Sequence, residues 1–189
     1  MRFITTLFLF CVFSGFSQEK FEREYRVDTG KVPATSLQII KIWGFKEKVK
    51  WYAEESQDGK TFEAKVHYQS KKHSIEFSEK GEIIDVEIKV DFTELDKKVQ
   101  SKIEHVLSGK FEKFKVKKTQ IQYKGDESEI YKAVFKLVSH HEKILPNYEL
   151  IVKGKREKSY VSYEFLFDSK GILIKELKLA PQNNDNLEF

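Results

Sequence analysis

The chain has 189 residues, the length of one domain or two small ones. Its Lys and Arg residues number 34 and its Asp and Glu residues 30, and the interspersed signs exclude a charge block of the kind that binds nucleic acid. With 40% hydrophobic residues, three Pro and nine Gly, the composition also excludes collagen-like and low-complexity chains.

The N-terminus has the pattern of a secretory signal peptide. Arg2 precedes a largely apolar run, Phe3–Phe13, and Gly15 and Ser17 suit the small-residue positions before a cleavage site. The run is about 11 residues long, too short to span a hydrocarbon core of about 30 Å. We therefore predict that residues 1–17 are a cleaved signal peptide and that the protein is periplasmic or secreted.

Cleavage removes Cys11, the single cysteine of the chain. The mature protein would then have no disulfide, no thiol nucleophile and no thiolate metal ligand. Large apolar residues precede Cys11, in place of the small residues of a lipoprotein cleavage site, so we predict no lipid anchor. The stability of the mature chain must come from a packed core.

The first predicted helix begins near Pro33, a residue that the first turn of a helix tolerates. Gly44 provides a stop signal. Between them, Leu37, Ile40 and Trp43 recur at helical spacing and would form the buried stripe.

Four segments with alternating apolar and polar residues follow this helix and predict strands. Turn signals such as Asp58-Gly59 and Lys80-Gly81 separate them. Such alternation is typical of antiparallel sheets with one buried face and one wet face. The segments are Val49–Ala53, Phe62–Tyr68, Ile75–Phe77 and Ile84–Val90.

A second helix is predicted from Leu95, Val99 and Ile103, which recur every four residues. Thr93 is its candidate N-cap and Gly109 its candidate stop. Further alternating segments then predict strands up to a polar tail, 180–189, which we expect to be mobile. These segments are Phe114–Val116, Ile121–Tyr123, Tyr131–Leu137, Tyr148–Val152, Val161–Phe167 and Leu173–Leu179.

The order helix, strands, helix, strands suggests an internal repeat. A shift of ninety residues superposes Phe77, Lys80, Gly81 and Ile84 on Phe167, Lys170, Gly171 and Ile174. The sequence therefore predicts an α+β fold of two tandem repeats, 18–92 and 93–179. Each repeat would be a helix packed on a roughly four-stranded antiparallel sheet.

Several segments carry a family resemblance: Glu24–Val27, Val32–Pro33, Lys50–Tyr52, Phe62–Lys65 and Ser74–Phe77. In this order they resemble the PepSY-like proteins of the β-lactamase-inhibitor-like fold, over essentially the whole mature chain and in two copies. The resemblance implies an exported protein of Bacteroidetes-type bacteria, with a helix laid on a four-stranded antiparallel sheet and repeated in tandem. The inhibitors of this fold have cysteines and an inhibitory loop that do not match here, so inhibition of a β-lactamase is not implied.

Catalytic and metal-binding motifs are missing from the sequence. It contains no Gly-x-Ser-x-Gly, no His-Glu-x-x-His and no Gly-rich phosphate loop. His67 and His73 flank a predicted hairpin but lack an evident third ligand, and the adjacent His140 and His141 would point to opposite faces of a strand. We therefore predict no enzyme activity, no cofactor and no metal site.

The segment Lys110–Lys118 mixes bases with aromatic residues, as surfaces that bind single-stranded nucleic acid do. Phe114 and Val116, however, share the parity of a buried face, and export removes the usual nucleic-acid partners. We interpret the segment as a solvated edge strand whose lysines discourage aggregation. An anionic membrane surface or a cell-wall polymer remains a second interpretation.

A candidate binding patch is predicted on the polar face of the strands. Tyr52, Tyr160 and Leu166 have the parity opposite to the predicted core, and a helix-on-sheet fold leaves that face uncovered. Isolated exposed apolar residues are also normal on protein surfaces.

Three functional hypotheses follow from these observations. The first is an exported non-enzymatic binding or inhibitor-like module that recognises an unknown protein or peptide partner of the cell envelope through open sheet faces. The alternative is a small-molecule or metal-binding periplasmic protein with a pocket between the halves, to which His67 or His73 would contribute. The third is a hydrolase with carboxylates hidden among the 30 acidic residues.

Overall fold

Ten strands and three α-helices form in the residues that the structure, a computed structural model, describes: 19–20, 22–57, 59–135 and 144–180. The predicted signal peptide, 1–17, lies outside these ranges, and so do residues 181–189 of the predicted tail. The strands are β1 (Glu19–Lys20), β2 (Glu22–Arg26), β3 (Lys50–Ser56), β4 (Gly59–Tyr68), β5 (Lys71–Ser78), β6 (Ile83–Val90), β7 (Lys113–Tyr123), β8 (Asn147–Arg156), β9 (Ser159–Phe167) and β10 (Leu173–Leu179). The helices are α1 (Ala34–Trp43), α2 (Lys97–Lys110) and α3 (Glu127–Phe135).

All ten described strands belong to one sheet, in the order β1-β10-β9-β8-β7-β6-β5-β4-β3-β2. Strands β2 to β10 pair antiparallel, and β1 pairs parallel with β10. The middle of the sheet is the pairing of β6 with β7, from Val86 opposite Tyr123 to Val90 opposite Thr119.

The prediction of two tandem repeats, each a helix on a roughly four-stranded sheet, is therefore wrong. One continuous sheet runs through the described chain because β6 and β7 pair with each other. In two separate sheets, each of these strands would be an edge with a row of unpaired backbone groups, and their pairing covers these edges over Val86–Val90 and Thr119–Tyr123. Alternation in the sequence indicates where strands lie but not which strands become neighbours.

The three described helices lie on one face of the sheet, termed the helix face. There α1 and α3 pack on β3 to β6 in a first hydrophobic core, and α2 packs on β8 and β9 in a second core. Val86 and Val90 share one parity on β6 and belong to different cores, so the cores lie side by side on the same face. None of these helices has the length and apolar character that crossing a bilayer requires.

The first helix is confirmed. α1 follows Pro33 and ends at Trp43, and Gly44 caps it with a φ of +72°, a left-handed conformation that glycine adopts without strain. Of the predicted stripe, Ile40 and Trp43 are buried and Leu37 is partly buried.

The second helix is also confirmed, but its ends differ from the prediction. The N-cap is Asp96 and not Thr93, because Oδ1 of Asp96 accepts a hydrogen bond from the backbone N–H of Lys98 at 2.9 Å. The helix continues through Gly109 and ends at Lys110. Gly109 faces open space and keeps helical geometry, so it does not act as a stop.

The segment 131–137 was predicted as a strand, and its described part belongs to a helix instead. α3 spans Glu127–Phe135 and starts after Asp126, whose Oδ1 accepts a backbone hydrogen bond in the first turn. Ile130 and Val134 are four residues apart and both buried, so the helical period places these side chains in the first core. The apolar residues of this segment fit both the helical and the strand period, and tertiary packing favours the helix.

The sheet is strongly curled. β1 and β2 are the two terminal strands of the sheet, but they follow each other closely in the chain. Lys20 of β1 lies beside Leu179 of β10, and Glu22 of β2 lies beside Ser56 of β3. From the spacing of Cα atoms and of strands, Leu179 and Ser56 are within about 18 Å of each other. A flat sheet would place β3 and β10, which are seven steps apart, about 34 Å from each other.

The face without described helices is the inner side of this curl, and we term it the concave face. Its side chains include Tyr52 and Leu177 (both 5% exposed), Asp85 (3%), and Gln120 and Gln122 (both 4%). A flat face with no helix over it would leave such side chains open to solvent. Their burial therefore agrees with a sheet that curls toward this side.

Candidate functional site

A polar network lies at the centre of the concave face, between β6 and β7. Nε2 of Gln122 donates a hydrogen bond to Oδ2 of Asp85 at 3.0 Å, and Nε2 of Gln120 donates one to Oε2 of Glu87. The ammonium of Lys124 lies 3.5 Å from Oδ2 of Asp85. These contacts give partners to polar groups that the curl of the sheet removes from water, but Oε1 of Gln120 is buried without a hydrogen-bond partner in the described chain.

Both carboxyl groups of this network titrate well above the ordinary range. Burial, helped by the nearby Glu76 carboxylate, raises the pKa of Asp85 to about 7. Burial, helped by Asp85, raises the pKa of Glu87 to about 8. Near neutral pH the centre of the concave face therefore carries less negative charge than its acidic residues suggest.

Tyr52, a predicted site residue, has concave-face parity but is packed rather than accessible. The ammonium of Lys65 lies 4.6 Å from the centroid of its ring, and the same ammonium pairs with Glu24 at 2.6 Å and Glu63 at 3.1 Å. Burial acts to lower the pKa of Lys65, but Glu63 and Glu24 outweigh it and raise the pKa. Tyr52 is thus a structural side chain beneath a charged network.

Tyr160 and Leu166, the other predicted site residues, both lie on β9 with concave-face parity. Tyr160 is 54% exposed and Leu166 is partly buried. Five residues lie between them along the strand, so the two positions are roughly 20 Å apart. Tyr52 is buried and adds no exposed surface to either position. The structure therefore does not bring the three residues into one contiguous patch.

A shallow depression of about 400 Å³ adjoins Tyr160 where β7, β8 and β9 run side by side. The ammonium of Lys153 lies 5.8 Å from the centroid of the Tyr160 ring, within the range of a cation–π contact. The lining residues are Lys113, Phe114, Lys115, Lys117, Lys153 and Tyr160. An exposed predicted site residue thus stands beside a recess with a basic rim.

Four exposed lysines of this rim form what we term the basic patch: Lys113, Lys115, Lys117 and Lys153. None of the four forms an ion pair with any residue that the structure describes. Nearby Lys155, by contrast, pairs with Glu112 at 2.7 Å. The four ammonium groups of the basic patch therefore remain available for contact with an anionic group.

His67 and His73 lie on opposite faces of the sheet. His67 is exposed on the concave face, whereas His73 is buried on the helix face beside Phe135, with ring centroids 5.8 Å apart. The ranges that the structure covers contain no group of three or more His, Cys, Asp or Glu residues that could hold a metal ion. His140 and His141 lie outside the described residues.

Sequence reasoning missed the polar network in which Asp85, Gln120 and Gln122 are buried and Glu87 is partly buried. Alternation assigned these residues to a wet face, and it cannot reveal that the sheet curls. One signal was present, since β7 changes from lysines in its first half to Gln120 and Gln122 in its second half. Uncharged amides at alternating positions suit a buried polar face better than lysines do.

Similar folds occur in three Bacteroides proteins of known structure. A DUF2874 family protein from Bacteroides ovatus superposes with a TM-score of 0.55 at 16% identity, over 80% of this chain and 89% of that one. A candidate periplasmic protein from Bacteroides eggerthii gives 0.54 at 15% identity, over 81% and 93%. A BLIP-like protein from Bacteroides fragilis gives 0.50 at 13% identity, over 82% and 92%.

These likenesses show the fold alone, and that fold is similar to that of a BLIP-like protein. No protein-family model matches the chain. No curated protein matches it significantly in sequence. None of the three similar structures is described as PepSY-like.

Proposed function

We propose that this protein is an exported, non-enzymatic binding module that recognises a protein or peptide partner through the uncovered concave face of its sheet. The observation that carries the proposal is the position of the described helices, all on the opposite face. The concave face keeps Tyr160 and part of Leu166 accessible for contact. Aromatic side chains are enriched among the residues that dominate binding energy in interfaces.

Within this proposal the three predicted site residues have different roles. Tyr160 and Leu166 contact the partner directly. Tyr52 is buried under Lys65 and supports the shape of the concave face near β3. An inhibitor-like role is supported by the similarity of the fold to a BLIP-like protein.

The proposed location is the periplasm or the outside of the cell. The predicted signal peptide supports export, and so does the candidate periplasmic assignment of the Bacteroides eggerthii protein. A PepSY-like relationship belongs to the same proposal, and the segments Glu24–Val27 and Lys50–Tyr52 support it.

The test is affinity capture of partners from the native cell envelope with matched variants of this protein as bait. We expect the double variant Tyr160→Ser/Leu166→Ser to lose partners that the parent captures, because it removes two apolar contacts from the concave face. The matched control is Ile42→Ser on α1, whose side chain is 76% exposed on a different element. We expect this control to retain the captured partners.

An identical set of partners for the parent and the double variant would show that binding does not use these residues. Thermal unfolding of each bait separates lost contacts from lost folding. Both Tyr160→Ser and Ile42→Ser alter exposed side chains and should unfold within about 0.5 kcal/mol of the parent.

A further inference from the structure

The first half of β7 has a strand on one side only. β7 pairs with β8 from Lys113 to Gln122, but it pairs with β6 only from Thr119 to Tyr123. Among the described residues, no strand pairs with the other edge of 113–118 and no loop backbone donates or accepts a hydrogen bond there, and the short turn Phe92–Glu94 after β6 contacts β7 without pairing. This segment therefore presents a short free edge, where an extended peptide can pair with outward N–H and C=O groups.

The register of β7 changes within this free edge. A bulge lies between Val116 and Lys118, so Lys117 has no partner residue on β8. Bulges bend a strand and increase its twist, and they often occur where regular pairing ends. The bulge thus marks the point where β7 passes from the buried middle of the sheet to a segment with one neighbour.

The same segment carries the basic patch. Lys113 and Lys115 project from β7 on the concave face, opposite Lys155 and Lys153 of β8, and Lys117 lies at the bulge. A strand that pairs with this edge would place alternate side chains beside these ammonium groups. Opposite charges on neighbouring strands stabilise a pair, and like charges destabilise it.

We propose that the free edge of β7, together with the basic patch, binds an acidic, extended segment of a partner protein by strand addition. This inference rests on the proposed function and deepens it by naming the chemistry of the partner. Backbone hydrogen bonds supply affinity for the extended conformation, and the lysines select acidic side chains.

The charge of the edge also argues against a second copy of this chain as the occupant. Lysines on an edge strand repel another lysine-bearing edge and so prevent aggregation between copies. These lysines do not repel an acidic strand. The same lysines therefore exclude self-association and permit pairing with a strand of opposite charge.

The test uses a fluorescent nine-residue peptide in which Glu and Thr alternate, and two matched peptides. In one, Gln replaces every Glu, which removes the charge but keeps the length and the polar character. In the other, alternate backbone nitrogens are methylated, which keeps the charge but blocks pairing with a strand. We expect the acidic peptide to bind the full mature protein about tenfold more tightly than either matched peptide, as measured by anisotropy.

Hydrogen exchange locates the bound peptide. We expect amide exchange over Lys113–Lys118 to slow in the complex. Exchange over β2 (Glu22–Arg26), the strand at the far end of the sheet order, should stay unchanged. Protection at β2 in place of 113–118 would overturn the assignment of the edge.

Charge-reversal variants test the role of the lysines. Lys115→Glu/Lys117→Glu should weaken binding of the acidic peptide about tenfold or more. Its matched control, Lys46→Glu/Lys48→Glu, has the same spacing and exposed side chains in the loop before β3, and it should bind as the parent does. All four lysines are exposed, so both variants should fold, and their thermal unfolding verifies this.

Three outcomes would overturn the proposal: the acidic peptide does not bind, the methylated peptide binds as tightly, or the glutamine peptide binds as tightly. The second outcome would indicate attraction of any polyanion without strand addition. These results are separable from the capture experiment above. Partners that depend on Tyr160 and Leu166, combined with no acidic-peptide binding, would leave the binding module intact and remove strand addition.

Discussion

The two halves of β7 share one strand and one neighbour, β8, but differ in burial and charge. Between Thr119 and Tyr123 the strand lies between β6 and β8, and its amides, Gln120 and Gln122, are buried. Over Lys113–Lys118 the strand has no second neighbour within the described chain, and its lysines are exposed. The polar residues of β7 are buried amides where the strand has neighbours on both sides, and they are exposed lysines where it has one neighbour.

The largest expected loss of stability comes from a core residue next to the buried half of β7. Phe165 is fully buried and lies opposite Leu150, which in turn lies opposite Thr119 of β7. Phe165→Ala should lower the free energy of unfolding by about 3–5 kcal/mol, because the side chain leaves a cavity in the second core. Urea denaturation measures this difference.

Tyr160→Ser provides the matched control for this variant on the same strand. Tyr160 lies opposite Lys155, in the row of Lys113 and the exposed half of β7. We expect its free energy of unfolding to stay within about 0.5 kcal/mol of the parent. Equal losses in Phe165→Ala and Tyr160→Ser would show that the two faces of β9 are wrongly assigned.

The second effect is a loss of stability as pH rises from about 4 to about 8, and it comes from the Asp85 and Glu87 network at the buried half. In the unfolded chain Asp85 and Glu87 ionise near 3.8 and 4.5, whereas in the folded protein their pKa values are about 7 and about 8. From about pH 4 to about pH 8 the folded state therefore holds protons that the unfolded state has lost. The free energy of unfolding therefore falls as pH rises through this window.

The double variant Asp85→Asn/Glu87→Gln should flatten this dependence, because its amides do not titrate. Burial lowers the pKa of His73, so His73 contributes a separate dependence below pH 6.5 that is common to parent and variant and cancels in their difference. Glu82→Gln/Glu104→Gln, at two exposed positions, is the control and should keep the parental slope. Chemical denaturation at pH 6 and pH 9 gives these slopes, and equal slopes in parent and Asp85→Asn/Glu87→Gln would refute the assignment.

A smaller loss of stability is expected when a single side chain is truncated in either half of β7. Gln122→Ala removes a donor to Asp85 and should cost about 1–2 kcal/mol, because a buried acceptor loses its hydrogen bond from Gln122 and keeps only the more distant Lys124. Lys115→Ala, in the exposed half, should stay within about 0.5 kcal/mol of the parent. Denaturation in urea compares the pair, and a larger loss for Lys115→Ala would mean that the free half is not exposed in solution.

The smallest effect concerns the lysines that face each other across β7 and β8. Lys115 lies directly opposite Lys153, and like charges at such positions repel. Lys153→Glu should therefore raise the free energy of unfolding by about 0.2–1 kcal/mol at low ionic strength. The gain should disappear in 1 M salt, where charges are screened within about 3 Å. A gain that persists in high salt would indicate a cause other than charge.

The local elements were largely predictable from the sequence. The helical spacing of Ile40 with Trp43, and of Val99 with Ile103, predicts α1 and α2 because each stripe has one periodic solution. The strand prediction for residues 131–137 was wrong because their apolar residues fit both the helical and the strand period. The packing of α3 against the first core favours the helical period. Local sequence contains no information about that packing.

The arrangement of the sheet was not predictable in the same way. Nothing in the alternation of Ile84–Val90 indicates that β6 pairs with β7, so the sequence predicted two sheets where one exists. The buried carboxyl of Asp85 was missed for a related reason, since its burial comes from a curl that distant strands impose. Of the candidate site, the exposure of Tyr160 could be anticipated, whereas the burial of Tyr52 could not.

The curl of the sheet has a consequence for the order of folding. Its two edges approach each other through β1, which pairs Glu19 with Lys178 across almost the whole length of the chain. Contacts between residues so far apart in sequence carry the largest loop-closure cost and slow the folding of a domain. We expect β1 to dock onto β10 as a late step, after the antiparallel neighbours have paired along the chain. Until that step the outer edge of β10 has no paired strand, so the chain is most exposed to aggregation at this edge before β1 docks.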